Sequence, residues 1–257
     1  MTVQSLDTPA IGEAQTRGGV YALLAAAWRY PDEESVFLLS DMAQRLSRDP
    51  DILGLFDAGI GEALGLFVGS LLDTDDMRRR YAALFGHAVR GACPLYEQEY
   101  GHGEIVQQAS ELADIAGFYR AFGLEPSEAA MERIDHVSVE CEFMGVLCAK
   151  EAFGLQSENA ELSDTSNDGQ RAFLRDHLAQ WLPAFCSRVS KAESDGPYAR
   201  AAALASAFLG AECRRFGITA GPTYLKLRPV DPQADVEISC GNAATGEQLV
   251  PLTIEGG

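Results

Sequence analysis

Positive charge is scarce in this chain of 257 residues: 20 Lys and Arg stand against 38 Asp and Glu, leaving a formal net charge of −18. Nucleic-acid binding rests on basic surface that neutralises phosphates, so that class of function is excluded, and attraction to anionic lipid goes with it. A surface of this sign draws basic partners instead, such as an arginine-bearing peptide. Cysteine is sparse too: Cys93, Cys141, Cys148, Cys186, Cys213 and Cys240 are scattered and form no CxxC pair. Zinc ribbons and thioredoxin-type centres need two thiols within a turn of each other, which leaves buried, reduced thiols in a cytoplasmic protein as the reading. The chain also has no GxxxxGK[ST], no GxGxxG after a strand and no GxSxG, so the common phosphate-cradling and nucleophile-elbow chemistries have no anchor. Nor is there an apolar run long enough to cross a bilayer. The one stretch resembling a targeting signal, Arg17 followed by Gly18 to Trp28, is flanked by Asp7, Glu13, Asp32, Glu33 and Glu34. A signal needs net positive flanks, so this is a buried helix, with no stable membrane insertion expected.

What remains is ordinary globular material, 47% hydrophobic and 23% charged, at a length one core can still serve. Apolar residues recur at helical period, and long strand-like alternation is absent before residue 218. Ile105, Ala109, Leu112, Ile115, Ala116, Tyr119 and Phe122 share one face, with Gly123 placed as a C-cap. From about Arg133 to Phe153 the stripe Ile134, Val137, Cys141, Met144 and Cys148 is widened by Phe143, Val146 and Leu147, which predicts a central helix closed by Gly154. The polar stretch from Glu158 to Gln170 reads as an exposed loop. Further stripes run through Phe173, Leu174, Leu178, Trp181, Leu182 and Phe185, interrupted by Pro183, and through Tyr198, Ala201, Ala205, Phe208 and Leu209 to Phe216 and Gly217.

Earlier, a helix over Val20 to Tyr30 should stop before Pro31, and weaker helices are expected at 33–47, 59–72 and 75–85. In the last of these Asp73 or Thr74 can cap, and Arg78, Arg79 and Arg80 form a solvated face. After Gly217 the prolines Pro222, Pro229, Pro232 and Pro251 break up short apolar pieces such as Tyr224 to Leu227 and Val236 to Ile238. The expected organisation is one all-helical domain over residues 1–217 and an extended tail over 218–257, with room for one short hairpin.

Two constellations carry chemistry. The linker Cys93-Pro94-Leu95-Tyr96-Glu97-Gln98-Glu99-Tyr100-Gly101 gathers two tyrosines, carboxylates and a proline, offering stacking surface and acceptors to a cationic side chain. The plainer alternative is a loop whose tyrosines plug onto the helices. The second is Asp135-His136 at the start of the central helix, with Glu140 four residues on, where carboxylate and imidazole can share a proton. An N-terminal aspartate beside an ordinary His/Glu pair explains the same residues. Metal ligation would need a second histidine one turn away, and no metal or other cofactor is expected. His87 and His102 flank the tyrosine loop, but Cys93 between them does not make a zinc site.

In this order and at these separations, Tyr81-Ala82-Ala83-Leu84-Phe85, Cys93-Pro94-Leu95-Tyr96-Glu97, Asp135-His136-Val137-Ser138-Val139-Glu140-Cys141-Glu142-Phe143-Met144 and Phe173-Leu174-Arg175-Asp176-His177-Leu178-Ala179-Gln180-Trp181 resemble the TorD/DmsD/NarJ family of redox-enzyme maturation chaperones. The resemblance covers about residues 18–216. It implies an all-helical cytoplasmic protein without catalytic residues. Its partner would be the unfinished catalytic subunit of a molybdopterin oxidoreductase, held through an N-terminal twin-arginine signal peptide until the cofactor is inserted. By the same resemblance Pro94, Tyr96 and Glu97 fall in the binding loop, Asp135 and His136 lie near the peptide groove, and Glu140 is the acidic position of the following helix. One position departs: the proline usual before Asp-His is Ile134 here, so that rigid hinge is missing. The loop is most similar to members serving exported enzymes of the dimethyl-sulfoxide-reductase type. Two other readings stay open, a NarJ-like chaperone of a non-exported molybdoenzyme and a helical enzyme or metal-binding protein using His87, His102, His136 and the thiols. Monomer and dimer are both compatible with the sequence.

Overall fold

The computed structural model describes residues 8–49, 58–86, 90–101, 105–127, 132–229 and 248–251. Among them, nine α-helices follow one another: α1 (Thr8–Ala27), α2 (Glu33–Ser47), α3 (Ala58–Ser70), α4 (Thr74–Phe85), α5 (Ile105–Ala121), α6 (Val137–Gln156), α7 (Ala160–Phe173), α8 (Ala179–Ala192) and α9 (Pro197–Phe216). A 3-10 turn occupies Glu97–Glu99, and a π turn over Leu174–Leu178 joins α7 to α8. The expected all-α class is what the chain adopts.

Helix α6 is central because it has no polar face to give to solvent. Val137, Val139, Cys141, Phe143, Met144, Leu147 and Cys148 are all buried, and α1 packs along one side of it with α7 along another. The Gly18 to Trp28 stretch is indeed a core helix, with Val20, Leu23, Leu24 and Trp28 almost fully buried. Trp28 meets Phe85 and Phe185 edge-on, at 6.2 and 4.9 Å between centroids, which ties α1 to α4 and α8. Asp73 caps α4 by accepting from the Asp76 N–H at 3.0 Å. Gly217, at φ 64°, ends α9 in the left-handed conformation.

The stretch from Glu158 to Gln170 is helical, against the expected loop. Asn159 caps α7 by accepting the Leu162 N–H at 3.0 Å, and the buried face consists of Ser163, Ser166, Gly169, Gln170 and Phe173. Small and polar residues face inward, so the apolar period that betrays a helix is missing. Their smallness has a cause: α6 and α7 approach so closely that a Cβ on Gly154 would meet the Ser163 backbone at 2.6 Å. Gly154 therefore permits packing and does not close α6, which runs on to Gln156 before Glu158 turns the chain at φ 56°.

Pro183 does not end its helix either. The carbonyl of Ala179, which a proline four residues on cannot bond, instead accepts the N–H of Gly221 at 2.8 Å. The chain after Gly217 is thereby fastened across α8 as a strap. It goes on to bond the tyrosine loop, with Gly101 N–H to the Lys226 carbonyl and Arg228 N–H to the Glu99 carbonyl, both at 2.9 Å. The piece Tyr224 to Leu227 forms no strand beyond a single bridge between Leu227 and Tyr100. Further along, strand β2 (Gln248–Pro251) pairs antiparallel with β1 (Leu124–Ser127), Leu124 opposite Pro251. Its mate is a segment between α5 and α6 rather than a neighbouring piece of tail, and Val236 to Ile238 lie outside the described residues.

A side chain at position 221 would overlap the Gln180 carbonyl oxygen. Gly221→Val is therefore expected to lift the strap, and amide exchange at Gly101 and Arg228 should quicken about tenfold while α6 stays protected. Unchanged exchange at both amides would show that the strap bonds carry no stability.

Candidate functional site

The loop carrying Pro94, Tyr96 and Glu97 and the segment carrying Asp135, His136 and Glu140 form one wall. Tyr96 and His136 face each other in an antiparallel bridge. The Glu97 N–H donates to the Asp135 carbonyl and the Val137 N–H to the Leu95 carbonyl, both at 2.9 Å. Tyr100 is buried and its hydroxyl donates to the Pro94 carbonyl at 2.8 Å, so one tyrosine does plug the loop onto the body. Tyr96 is half-buried. Its hydroxyl donates to Glu132 Oε2 at 2.8 Å and its ring meets the His136 ring at 5.0 Å.

His136 is the N-cap of α6. Its Nδ1 accepts the Ser138 N–H at 3.1 Å, which assigns its proton to Nε2, 3.7 Å from Glu132. Burial, then the nearby Arg133 and Arg29 guanidinium groups, push its pKa down to about 3, so it stays neutral. The expected proton sharing between His136 and Glu140 does not occur. Glu140 turns to Trp181, whose Nε1 donates to it at 3.0 Å. Burial first, and the Glu97 carboxylate second, hold the Glu140 carboxyl well above the ordinary carboxylate range.

Glu97 in turn faces His177, Nδ1 to Oε2 at 3.2 Å, while Asp114 lies 3.2 Å from the other ring nitrogen. Burial disfavours charge on His177, but the hydrogen bond and charge of Glu97, then those of Asp114, outweigh it and raise its pKa. The π turn sets this histidine against the loop. A π turn leaves no mark in an apolar repeat, and so the role of His177 was not read from the sequence.

Asp135 shows the geometry most plainly. Its side chain is fully buried and its carboxylate takes a two-pronged grip from Arg133, Nε to Oδ1 at 2.9 Å and Nη2 to Oδ2 at 2.7 Å. The Gln98 N–H adds a third donor at 3.2 Å. The same guanidinium lies over the Tyr96 ring, 4.4 Å from its centroid. Flat face on an aromatic ring and fork on a carboxylate is how a protein holds an arginine. Neighbouring carboxylates are also engaged, Glu99 by Arg90 at 2.8 Å and Glu111 by Arg228 at 3.0 Å. The acceptors that the loop offers to a cationic side chain are thus already paired within the protein. Arg133, Glu132 and Asp114 carry no sequence signal because a single charged residue is indistinguishable in sequence from any solvated charge, and Gln98 carries none because it acts through its backbone N–H.

A cavity of about 290 Å³ opens beyond Cys93, between α8 and the strap, with Arg188 and Lys191 in its lining. Those cations disfavour an arginine there. Among the described residues no group of three or more His, Cys, Asp or Glu is disposed to hold a metal, and His87 and His102 lie outside them. Cys93, Cys141, Cys148, Cys186 and Cys213 are buried and free, while Cys240 lies outside the described residues. No described helix is long and apolar enough to cross a membrane.

The family described as nitrate reductase delta subunit matches residues 54–187. The perchlorate reductase assembly chaperone protein of Dechloromonas aromatica (strain RCB) is 31% identical over 184 residues, 70% of this chain and 80% of the relative. Chaperone protein TorD of Vibrio cholerae serotype O1 (strain M66-2) is 27% identical over 70% of this chain and 78% of its own. The chlorate reductase assembly chaperone protein of Ideonella dechloratans is 26% identical over 68% and 77%. These relatives are named as chaperones and not as catalysts. With the match covering more than half of its length, this chain belongs to the nitrate reductase delta subunit family of redox-enzyme maturation chaperones, the TorD/DmsD/NarJ group its four sequence blocks resemble.

Proposed function

We propose that this protein binds the immature catalytic subunit of an exported molybdopterin oxidoreductase of the dimethyl-sulfoxide-reductase type through the twin-arginine signal peptide at its N-terminus. It holds the subunit in the cytoplasm until the cofactor is inserted. The observation that carries this reading is the guanidinium-competent wall, in which Asp135 and Tyr96 already hold an arginine by fork and ring. The net charge of −18 favours approach of a basic segment. In this reading Tyr96, Glu97 and Asp135 meet the peptide, and Pro94, His136 and Glu140 hold them in place. Pro94 does so through its carbonyl bond to Tyr100, His136 by capping α6, and Glu140 from behind Glu97.

The tagged protein, recovered from its native cells under respiratory growth, should bring down a molybdoenzyme catalytic subunit that still carries its leader, identified by mass spectrometry. A catalytic subunit without a leader would instead support the NarJ-like alternative, and absence of any oxidoreductase would overturn the proposal.

A further inference from the structure

Asp135 is an unusual place to expect a visiting arginine, because its carboxylate has no exposure at all and both its oxygens are taken. Against it lies the side chain of Arg133, itself 53% exposed. The guanidinium thus joins a buried carboxylate to a half-exposed side chain, and the place it fills, forked on Asp135 and flat on Tyr96, is one that another guanidinium fits. We infer that Arg133 is a built-in competitor, which occupies the guanidinium seat of Asp135 and Tyr96 until an arginine of the client displaces it. This inference rests on the arginine-binding reading above.

The chemistry of the exchange is symmetric. An incoming arginine offers the same fork to Oδ1 and Oδ2 and the same flat face to the Tyr96 ring, so nothing at the seat needs rebuilding. While no client is bound, Arg133 compensates the buried carboxylate for most of the time, where a protein without Arg133 would have to tolerate it unpaired throughout. Arg133 lies two residues before Asp135 and ahead of the α6 cap, so it can swing to solvent without disturbing that helix. Glu132, beside it, is bonded to the Tyr96 hydroxyl and stays behind to hold the ring. A tethered competitor lowers apparent affinity by the fraction of time it is seated. It also sets a threshold: a lone surface cation gains too little to open the seat, whereas a client whose second arginine and apolar stretch find other contacts offsets the displacement.

The test is calorimetry at low salt with a synthetic peptide carrying two adjacent arginines ahead of an apolar stretch, and its twin with both arginines changed to glutamine. Arg133→Ala should bind the arginine peptide about tenfold more tightly than the unaltered protein does, as expected if the seat is open about a tenth of the time. In an Asp135→Asn background the same change should have no effect on affinity. Should Arg133→Ala fail to fold, Arg133→Gln carries the same comparison, since it removes the cation and the guanidinium fork and keeps the aliphatic stem. In the unaltered protein, the Arg133 Nε–H resonance should move from a bonded to a free position on peptide addition, a change a purely structural Arg133 would not make. Equal or weaker binding by the Arg133 variants, with the unaltered protein still preferring arginine over glutamine, would overturn the competitor and leave the arginine-binding reading standing. If neither protein distinguishes the two peptides, the reading itself falls and the inference with it.

Discussion

Arg17→Ala is expected to cost about 3–5 kcal/mol of unfolding free energy, read as a lowered midpoint in urea denaturation. Arg17 is a fully buried cation in a knot that joins four helices. From α1 its Nε and Nη2 reach the two oxygens of Glu212 on α9 at 2.8 and 2.6 Å, Nη1 reaches Glu151 on α6 at 3.0 Å, and Nη2 reaches Gln170 on α7 at 2.5 Å. Its side chain is 1% exposed, as is that of Glu212. Removing the guanidinium takes both of Glu212's arginine bonds and leaves it the Tyr21 hydroxyl, at 3.0 Å, in a site 1% exposed. Glu151 fares better, since it keeps Gln170, Asn167 and Arg215. The damage should therefore fall mainly on Glu212. Accordingly, Arg17→Met combined with Glu212→Met should lose far less than the sum of the two single changes, because the pair leaves no stranded charge. Additive losses would mean that Arg17 acts through packing alone.

The second large effect concerns pH and sets two buried groups against each other. His136 titrates near 3 in the folded chain against 6.5 ordinarily. Between those values the unfolded chain binds the extra proton, so this group's contribution is present above pH 6.5 and is lost as pH falls. Glu140 is raised above its ordinary 4.5, so the folded chain binds the extra proton from there upward. Its contribution is full below pH 4.5 and declines as pH rises through the folded value. Between pH 4.5 and 6.5 the two slopes oppose each other. His136→Asn, which can still cap α6, should make stability fall more steeply with rising pH than in the unaltered protein. Glu140→Gln, which can still accept from Trp181, should make it rise. Each slope should change by up to about 1.4 kcal/mol per pH unit. Urea denaturation at half-unit steps across this window checks both, and curves parallel to that of the unaltered protein would refute the assignment.

Much of this fold was legible because its helices are amphipathic and their ends are marked. Asp73 caps where a capping residue was expected, Gly217 turns where a terminal glycine stood, and the width of the α6 stripe foretold its central place. Helix α7 was not legible, since its inward face, apart from Phe173 at its end, is made of serines, a glycine and a glutamine that let it approach α6 closely. Arg17 read only as a charge before an apolar run. Its partners lie 134, 153 and 195 residues away, a distance no local pattern spans. At the candidate site, the backbone brings the motif residues Tyr96, Glu97, Asp135 and His136 together. Their occupancy was hidden. That Asp135 is already gripped, and that His136 caps a helix rather than pairing with Glu140, follows from three-dimensional placement alone.

The proline in α8 also bears on when the protein becomes competent. By freeing the Ala179 carbonyl it supplies the anchor for the strap, and the strap supplies backbone partners for Glu99 and Gly101. On a ribosome, residues 99–101 emerge early and residues 221–228 late. Until the late segment arrives, the tyrosine loop lacks these bonds on its outer edge. The tyrosine loop is thus completed only after a segment more than a hundred residues further along has been made, and a nascent copy lacking that segment has an unfinished loop edge.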